Sequence, residues 1–164
     1  MRIAIVPGSF DPITSGHLDV IRRVSDLFDK IVIGVAVNVA KTPLFSLDER
    51  VELVRAAVAG LTNVTVEPFD SLTVEFAVAK DAHAVVRGLR AVSDFEHEFQ
   101  MAQLNRELNA SVETVFVMAS PEYAYLSSSA VREIAEYGGV VKSLVPPVVE
   151  IALQKKIASR KEGK

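Results

Sequence analysis

The sequence predicts an α/β fold built on one parallel, doubly wound sheet. Five short runs rich in valine and isoleucine recur along the 164 residues, and segments with helical periodicity separate them. The apolar runs mostly lack the alternation of a half-exposed strand, which indicates strands covered on both faces. Alternating strands and helices form parallel sheets with right-handed crossovers. We therefore predict a Rossmann-like, five-stranded parallel sheet with helices on both faces.

The predicted strands lie at residues 3–6, 31–37, 64–67, 84–87 and 114–117. In such a sheet, ligands bind at the carboxyl ends of the strands, near the point where the strand order reverses. Polar clusters follow the first, second, fourth and fifth strands, at residues 9–17, 38–42, 87–90 and 120–129. We expect these four clusters to meet at one edge of the sheet.

Helical patterns fill the segments between the strands. Ser46 and Glu49 have the spacing of a capping box at the start of one helix, and residues 71–80 form a shorter helix. Ser93 and Glu96 repeat the capping-box spacing at the start of a long helix. The last two predicted helices span 128–137, which two glycines end, and 146–157.

The long helix carries two apolar stripes. One consists of Val92, Phe95, Phe99 and Ala102, and the other of Met101, Leu104 and Leu108. Because one apolar face is enough to pack a helix on its own sheet, the second stripe predicts a second contact. The second contact is with either a neighbouring subunit or a ligand pocket, and the sequence leaves both alternatives open.

Composition limits the class of protein. The net charge of −3 argues against nucleic acid as a partner, and the absence of cysteine excludes thiol chemistry and disulfides. No apolar run approaches the roughly 18 residues of a membrane span. We expect no signal peptide, because the first residues enter a strand directly and lack the apolar segment and cleavage site of one. We expect one cytoplasmic domain at residues 1–158, no membrane partner, and a tail at 159–164 that frays.

The most informative segment is the loop at residues 7–17, Pro-Gly-Ser-Phe-Asp-Pro-Ile-Thr-Ser-Gly-His. It leads from a strand into a helix, where free backbone N–H groups bind phosphate, and Thr14 is placed to cap that helix. The loop has neither the Gly-Lys-Ser/Thr ending of a P-loop nor the three-glycine dinucleotide spacing. His17 is either a satisfied histidine at a helix start or a reacting group, and the loop favours the second interpretation.

Two further clusters carry groups that bind phosphate. Arg87 and Arg90 flank Gly88 just past a strand, and guanidinium groups match phosphate oxygens, although a solvated surface turn is the alternative. Three serines at residues 127–129 open a helix and offer hydroxyls together with free N–H groups, which suits a triphosphate. Arg132 follows one turn later and is placed to reach the same phosphates.

Two other groups of polar residues have less specific patterns. Lys41 is either a solvated loop lysine or a mobile charge for a second phosphate. Asp94, Glu96, His97 and Glu98 contain metal-ligand types, but His97 is expected to point away from the face that Asp94 and Glu98 share. A solvated face or a ribose contact is therefore expected there, and no metal site.

These motifs resemble those of the nucleotidyltransferase α/β phosphodiesterase superfamily and, within it, the bacterial phosphopantetheine adenylyltransferase family. The resemblance rests on the loop at 7–17, Lys41, Arg-Gly-Leu-Arg at 87–90, Asp-Phe-Glu-x-Glu at 94–98 and Ser-Ser-Ser at 127–129, in order along essentially the whole chain. It implies in-line transfer of AMP from ATP to 4′-phosphopantetheine, which gives dephospho-coenzyme A and pyrophosphate.

The resemblance also implies which residues act. The ATP site comprises Ser9, Phe10, His17, Gly88, Leu89, Arg90, Glu98, Tyr123, Ala124, Tyr125, Leu126, Ser127, Ser128 and Ser129. The 4′-phosphopantetheine site comprises Ser9, Lys41, Thr73 and Arg87. The implied catalytic residues are His17, which stabilises the transition state, Lys41 and Arg90.

The same resemblance implies Mg²⁺ bound mainly through the ATP phosphates, coenzyme A as a feedback inhibitor, and a homohexamer. The charge of His17 is open, because a helix N-terminus favours the neutral form and polyphosphate favours the charged form. Two alternatives are also open. One is a related transferase that acts on nicotinate mononucleotide or uses CTP, and the other is a nucleotide or coenzyme A sensor without turnover.

Overall fold

The computed structural model describes residues 1–37 and 42–162. The strands are β1 (Ile3–Gly8), β2 (Lys30–Ala36), β3 (Val64–Phe69), β4 (Ala84–Leu89) and β5 (Glu113–Met118). The helices are α1 (Ser15–Ser25), α2 (Leu47–Ala57), α3 (Thr73–Ala79), α4 (Val92–Leu108), α5 (Ser128–Glu136) and α6 (Pro147–Glu162). A short 3-10 turn at Pro121–Tyr123 leads from β5 towards α5.

The five strands form one parallel sheet in the order β3-β2-β1-β4-β5, so the predicted fold class is confirmed. The chain moves outward from β1 to β3 and then crosses back to place β4 on the other side of β1. The strand order therefore reverses between β1 and β4, and a crevice is expected beyond the carboxyl ends of these two strands.

Side chains of β1 alternate between two apolar cores, one on each face of the sheet. Ala4 and Val6 belong to the larger core, to which α1, α2, α5 and α6 contribute. Ile3 and Ile5 belong to a smaller core with residues of α3. Because both faces are buried, every position in the middle of β1 is apolar, which is why the sequence shows a continuous run.

Three local details differ from the prediction. Strand β4 continues to Leu89, two residues beyond the predicted end at Arg87, so Gly88 and Leu89 are strand residues. The predicted capping box at Ser93 is wrong, because the extended residue at the start of α4 is Ala91 (φ −140°, ψ 165°). Helix α6 runs to Glu162, so helical structure extends into the tail that was expected to fray. The predicted capping box at Ser46 is confirmed.

The second apolar stripe of α4 is uncovered. Met101 and Leu104 are 40% and 50% exposed, and Leu108 is 61% exposed. Within the described ranges, no helix is long and apolar enough to cross a membrane.

Candidate active site

A cleft of about 440 Å³ opens at the carboxyl ends of β1 and β4, where the topology predicts a ligand. The predicted site residues that line it are Ser9, Phe10, His17, Arg87, Gly88, Arg90, Glu98, Tyr123, Leu126, Ser127, Ser128 and Ser129. Three of the four predicted clusters, up to 120 positions apart in the sequence, therefore meet at one edge of the sheet, as expected. The fourth, at residues 38–42, lies outside the described residues except for Thr42.

Four predicted residues do not line this cleft. Leu89 is buried in the end of β4, and the side chain of Tyr125 is 75% exposed. Ala124 follows the 3-10 turn without reaching the cleft. Thr73 begins α3 after β3, which is the edge strand two positions from β1. Lys41 lies outside the described residues.

The loop after β1 is fixed by a buried aromatic ring. Phe10 is 3% exposed and has a φ of 48°, in the left-handed region that residues other than glycine rarely adopt. A Cβ atom on Gly8 would lie 3.0 Å from the Phe10 ring, so a side chain at this position would press against the ring. The Phe10 ring meets the His17 ring edge-on at 5.2 Å and an interplanar angle of 67°. The Phe10 ring of this turn and the His17 imidazole therefore pack against each other.

His17 is oriented by the residue that caps its helix. The Thr14 hydroxyl accepts from the backbone N–H of His17 at 3.3 Å, so the predicted cap is confirmed. The backbone N–H of Thr14 donates to Nδ1 of His17 at 3.0 Å. Because Nδ1 accepts this bond, the ring proton of the neutral imidazole lies on Nε2. Nε2 is then the donor that His17 offers to a ligand.

The surroundings of His17 favour the neutral imidazole. Burial, together with the positive charges of Arg90 and Arg87, lowers its pKa from 6.5 to about 4, and burial is the largest of these causes. The sequence left the charge of this ring open, and the structure favours the uncharged donor at neutral pH.

Both arginines of the 87–90 motif are held by carboxylates of α4. Arg87 donates from Nε and Nη2 to the two oxygens of Glu98, at 2.8 and 2.6 Å, and from Nη1 to the Pro7 carbonyl oxygen. Arg90 donates to Asp94 at 3.2 Å and to a backbone carbonyl at 2.8 Å. Neither guanidinium is a freely solvated surface group, and a bound phosphate would compete with these carboxylates for them.

Two helix N-termini line the same cleft. Ser127 caps α5 by accepting from Ala130 at 3.1 Å, and the Ser128 hydroxyl donates to the Pro12 carbonyl oxygen at 2.8 Å. Within residues 1–37 and 42–162, no acceptor contacts the backbone N–H of Ser128, Ser129 or, in α1, Gly16. Free N–H groups at helix starts bind anions, so this edge of the sheet is suited to a polyphosphate.

Arg132 does not reach towards the cleft as the sequence suggested. It donates to the Asp11 carbonyl oxygen at 2.6 Å and to the Ser129 hydroxyl at 3.3 Å. Its side chain lines a second cleft, of about 390 Å³, together with Arg160 and Lys161. The contacts of Arg132 join α5 to the loop after β1.

Sequence reasoning missed two buried charged residues beside the site. Asp11 is 8% exposed, and its carboxylate accepts from the backbone N–H groups of Leu44 and Phe45, each at 2.9 Å. Arg50 is 3% exposed and lies on the apolar face of α2. The sequence did contain a signal for this buried charge, because Arg50 lies three positions after Leu47 and so falls on the apolar face of the predicted helix.

The expectation that His97 points away from Asp94 and Glu98 was wrong. Positions 94, 97 and 98 are three and four residues apart, so they share one helical face, and all three line the cleft. Within the part of the chain that the structure describes, no three His, Asp or Glu side chains are grouped to hold a metal ion.

Several known proteins are similar to this chain over most of its length. Residues 5–134 match the model of the cytidylyltransferase-like family. Phosphopantetheine adenylyltransferase of Caldanaerobacter subterraneus is 54% identical over 95% of this chain and 98% of the relative. The protein of the same name from Carboxydothermus hydrogenoformans is 50% identical over 99% of this chain and 99% of the relative. That from Moorella thermoacetica is 54% identical over 95% of this chain and 98% of the relative.

A solved structure shares the fold. A putative nicotinate-nucleotide adenylyltransferase from Vibrio parahaemolyticus superposes with a TM-score of 0.69 over 96% of this chain and 95% of that chain. At 21% identity, this similarity supports the fold alone.

Proposed function

The chain belongs to the phosphopantetheine adenylyltransferase family, within the cytidylyltransferase-like proteins, and on this premise we propose its reaction. It transfers AMP from ATP to 4′-phosphopantetheine and releases dephospho-coenzyme A and pyrophosphate, a step of coenzyme A biosynthesis. The observation that carries the proposal is the meeting of two helix N-termini, two arginines and a neutral histidine at one cleft.

The proposed reaction needs no nucleophile from the protein. An oxygen of the acceptor phosphate attacks the α-phosphorus of ATP, and the bond from that phosphorus to the bridging oxygen of the β-phosphate breaks. Pyrophosphate leaves with the bonding electrons. Catalysis of such a transfer consists mainly of positioning and charge stabilisation, which matches the donors of the cleft.

His17 stabilises the transition state as a hydrogen-bond donor. Its Nε2–H group donates to a non-bridging oxygen of the α-phosphate as that group becomes pentacoordinate, and no proton is transferred. The contacts of the ring with Thr14 and Phe10 support this role, because a donor held in place loses little energy to reorganisation during the reaction.

The remaining predicted residues divide between the two substrates. Arg90 and the start of α5 bind the β- and γ-phosphates, and Glu98 contacts the nucleotide. Arg87 and Lys41 bind the acceptor, with Ser9 between the substrates. In this scheme, Arg87 and Arg90 exchange part of their bonding with the carboxylates of α4 for bonding with phosphate.

Mg²⁺ is proposed to be held by the ATP phosphates. The carboxylates of Asp94 and Glu98 each pair with an arginine, so the described cleft residues offer no unpaired carboxylate as a ligand. When bound, the ion neutralises charge on the departing pyrophosphate.

The uncovered stripe of α4 supports self-association. Exposed apolar patches on one face are typical of interfaces between subunits, and a homohexamer that covers this face is proposed. Light scattering after size exclusion tests it, since a monomer at micromolar concentration would contradict it. Feedback inhibition by coenzyme A and a cytoplasmic location are proposed as well.

A pyrophosphate-release assay tests the proposed reaction. The chain is mixed with ATP and Mg²⁺ and with one acceptor at a time: 4′-phosphopantetheine, nicotinate mononucleotide, or choline phosphate with CTP in place of ATP. Release with 4′-phosphopantetheine alone is expected. Release only with another acceptor would favour a related transferase, and tight ATP binding without any release would favour a sensor.

A further inference from the structure

We propose that Asp19 is a positioning residue for the nucleotide, which holds the segment between β5 and α5 against α1. The inference rests on the proposed function, because this segment carries Tyr123 and Leu126, two of the residues expected to bind ATP. It contains none of the residues expected to bind 4′-phosphopantetheine. Asp19 does not line the cleft itself, so it acts through the residues that do.

Two side chains of α1 hold the chain where it leaves β5. The Asp19 carboxylate accepts from the Ser120 hydroxyl at 2.8 Å. Arg23, one turn later in α1, donates from Nη1 to the Asp19 carboxylate at 3.3 Å and to the Met118 carbonyl oxygen at 2.7 Å. Met118 is the last residue of β5, and Ser120 directly precedes the 3-10 turn. These contacts therefore fix both ends of the short step from the strand to the turn.

The place of β5 in the sheet explains why side chains are needed here. In the described sheet, β5 lies at one edge and has β4 as its single neighbour. Within the described ranges, the last backbone hydrogen bond from the chain after β5 to β4 joins the Ala119 N–H to the Leu89 carbonyl oxygen at 2.8 Å. From Ser120 onwards, contacts with other elements must place the segment. The carboxylate of Asp19 supplies the first of them.

Backbone hydrogen bonds carry the position of Ser120 into the cleft. The N–H of Tyr123 donates to the Ser120 carbonyl oxygen at 2.8 Å, and the N–H of Leu126 donates to the Tyr123 carbonyl oxygen at 3.0 Å. Tyr123 and Leu126 both line the cleft. Tyr123 also packs closely on the first turn of α1, since a Cβ atom on Gly16 would lie 3.3 Å from the Cβ of Tyr123. A shift of Ser120 would therefore displace residues that are expected to contact the nucleotide.

An ordinary surface ion pair does not account for these contacts. The Arg23 and Asp19 side chains are 46% and 20% exposed, and a pair of this kind within one helix contributes little to stability. Such a pair needs no partner outside the helix, yet both side chains also bond to the chain around the end of β5. A hydrogen bond to an ionised carboxylate is stronger than one between neutral groups. The contacts therefore define the position of the segment.

The contacts favour an effect on ATP over an effect on the acceptor. The Leu126 carbonyl oxygen accepts from Arg90 at 2.8 Å, and Arg90 is expected to bind the β- and γ-phosphates. The start of α5, which is expected to bind the same phosphates, follows Leu126 directly. Arg87 and Ser9, two residues expected to bind the acceptor, lie on β4 and in the loop after β1. Loosening Asp19 should therefore weaken ATP binding and leave acceptor binding unchanged.

Four variants test the inference in the full-length chain. Asp19→Ala removes the acceptor of the bond, Ser120→Ala removes the donor, and the double variant removes both. Asp19→Asn keeps an oxygen that accepts from the Ser120 hydroxyl but removes the charge. Asp26→Ala is the matched control, because Asp26 is an exposed acidic residue at the C-terminal end of α1. The measurements are the Kd of ATP by calorimetry, the KM for 4′-phosphopantetheine, and Tm.

Asp19→Ala is expected to raise the Kd of ATP about tenfold, the effect of losing a hydrogen bond to a charged group. Ser120→Ala should raise it by a similar factor. Because the two side chains act through one bond, the double variant should also show about a tenfold rise and not the roughly 100-fold rise of independent effects. In Asp19→Asn the Kd should stay within about threefold of wild type, and the KM for 4′-phosphopantetheine should stay within about twofold in all variants.

Three results would overturn the inference. One is a Kd of ATP in Asp19→Ala that equals the value in Asp26→Ala. Another is a double variant whose effect is the product of the two single effects. The third is a parallel rise in the Kd of ATP and the KM for the acceptor with a fall in Tm, which a purely structural role predicts. If Asp19→Ala does not fold, Ser120→Ala decides, since an unchanged Kd of ATP in that variant refutes the role of the bond.

The binding measurement also separates this inference from the proposed function, because calorimetry with ATP requires no turnover. A wild-type chain that binds ATP but forms no dephospho-coenzyme A would contradict the proposed function alone. The Kd of ATP in the four variants would still decide the role of Asp19.

Discussion

The two walls of the cleft are built differently. On the wall formed by the loop after β1 and by α1, Thr14 and Phe10 are 1% and 3% exposed, and the imidazole of His17 is bonded to backbone. On the wall formed by the end of β4 and by α4, the main contacts are ion pairs between side chains that are partly exposed.

This difference separates fixed groups from exchangeable ones. Donors held by backbone bonds and packing keep their places when substrate arrives, so they stabilise the transition state without reorganisation. Arginines held by carboxylates must give up those partners to bind phosphate, and the carboxylates act as counter-ions until then. Substitutions on the first wall should reduce turnover and stability, whereas substitutions on the second wall should change substrate affinity.

The largest expected effect is on turnover in His17→Ala. Loss of one preorganised donor costs about 3–4 kcal/mol, so kcat should fall roughly 100- to 1,000-fold while the fold is kept. His83→Ala is the control, since His83 is exposed and lies at the opposite end of β4. A kcat of His17→Ala within threefold of the control would contradict the proposed role of His17 in the mechanism.

A smaller effect is expected on stability in Asp11→Ala. The substitution leaves the buried N–H groups of Leu44 and Phe45 without their acceptor, so the free energy of unfolding should fall by about 2–3 kcal/mol. Urea denaturation measures it, with the exposed Asp26→Ala as the control. Equal midpoints for the two variants would show that the loop after β1 is not held as described.

The titration of His17 tests the wall formed by the loop after β1 and by α1 without any substitution. Its ring should titrate in NMR spectra with a pKa of about 4, and the expected tautomer has the proton on Nε2. The unfolded chain binds a proton near pH 6.5 and the folded chain does not, so the free energy of unfolding should fall as the pH drops from 6.5 towards 4. A midpoint near 6.5 in the folded protein would contradict the buried, neutral ring.

The smallest expected effect is on ATP affinity in Asp94→Asn. Removing this carboxylate releases Arg90 and takes a like charge away from the triphosphate, so ATP should bind about threefold more tightly, the energy of a partly exposed ion pair. Glu96→Gln on the same helix is the control, because Glu96 is exposed and does not line the cleft. Weaker ATP binding in Asp94→Asn would show that the carboxylate does not compete with phosphate.

The sequence predicted the fold well because its signals are local. Buried parallel strands require continuous apolar runs, and the Ser46 capping box and the glycines after α5 mark helix ends in a few residues each. Topology then brought the clusters at 9–17, 87–90 and 127–129 to one edge without any long-range signal.

The sequence could not predict which partners the charged side chains take. Arg87 and Glu98 are eleven positions apart, and Arg132 and Asp11 are 121 positions apart, so their contacts depend on packing between elements. The contacts of Arg50 were missed for the same reason, since its acceptors are backbone carbonyl oxygens at two strand ends. Thr73 was placed at the site by family resemblance, and in the structure it lies outside the described cleft.

The central claim is that this cleft joins AMP to the phosphate of 4′-phosphopantetheine. A single-turnover reaction with ATP labelled in its α-phosphate, in excess protein and with Mg²⁺, tests that claim most directly. The label is expected to appear in dephospho-coenzyme A, with one pyrophosphate released for each labelled product. Label that stays in ATP or appears as free AMP would contradict the account.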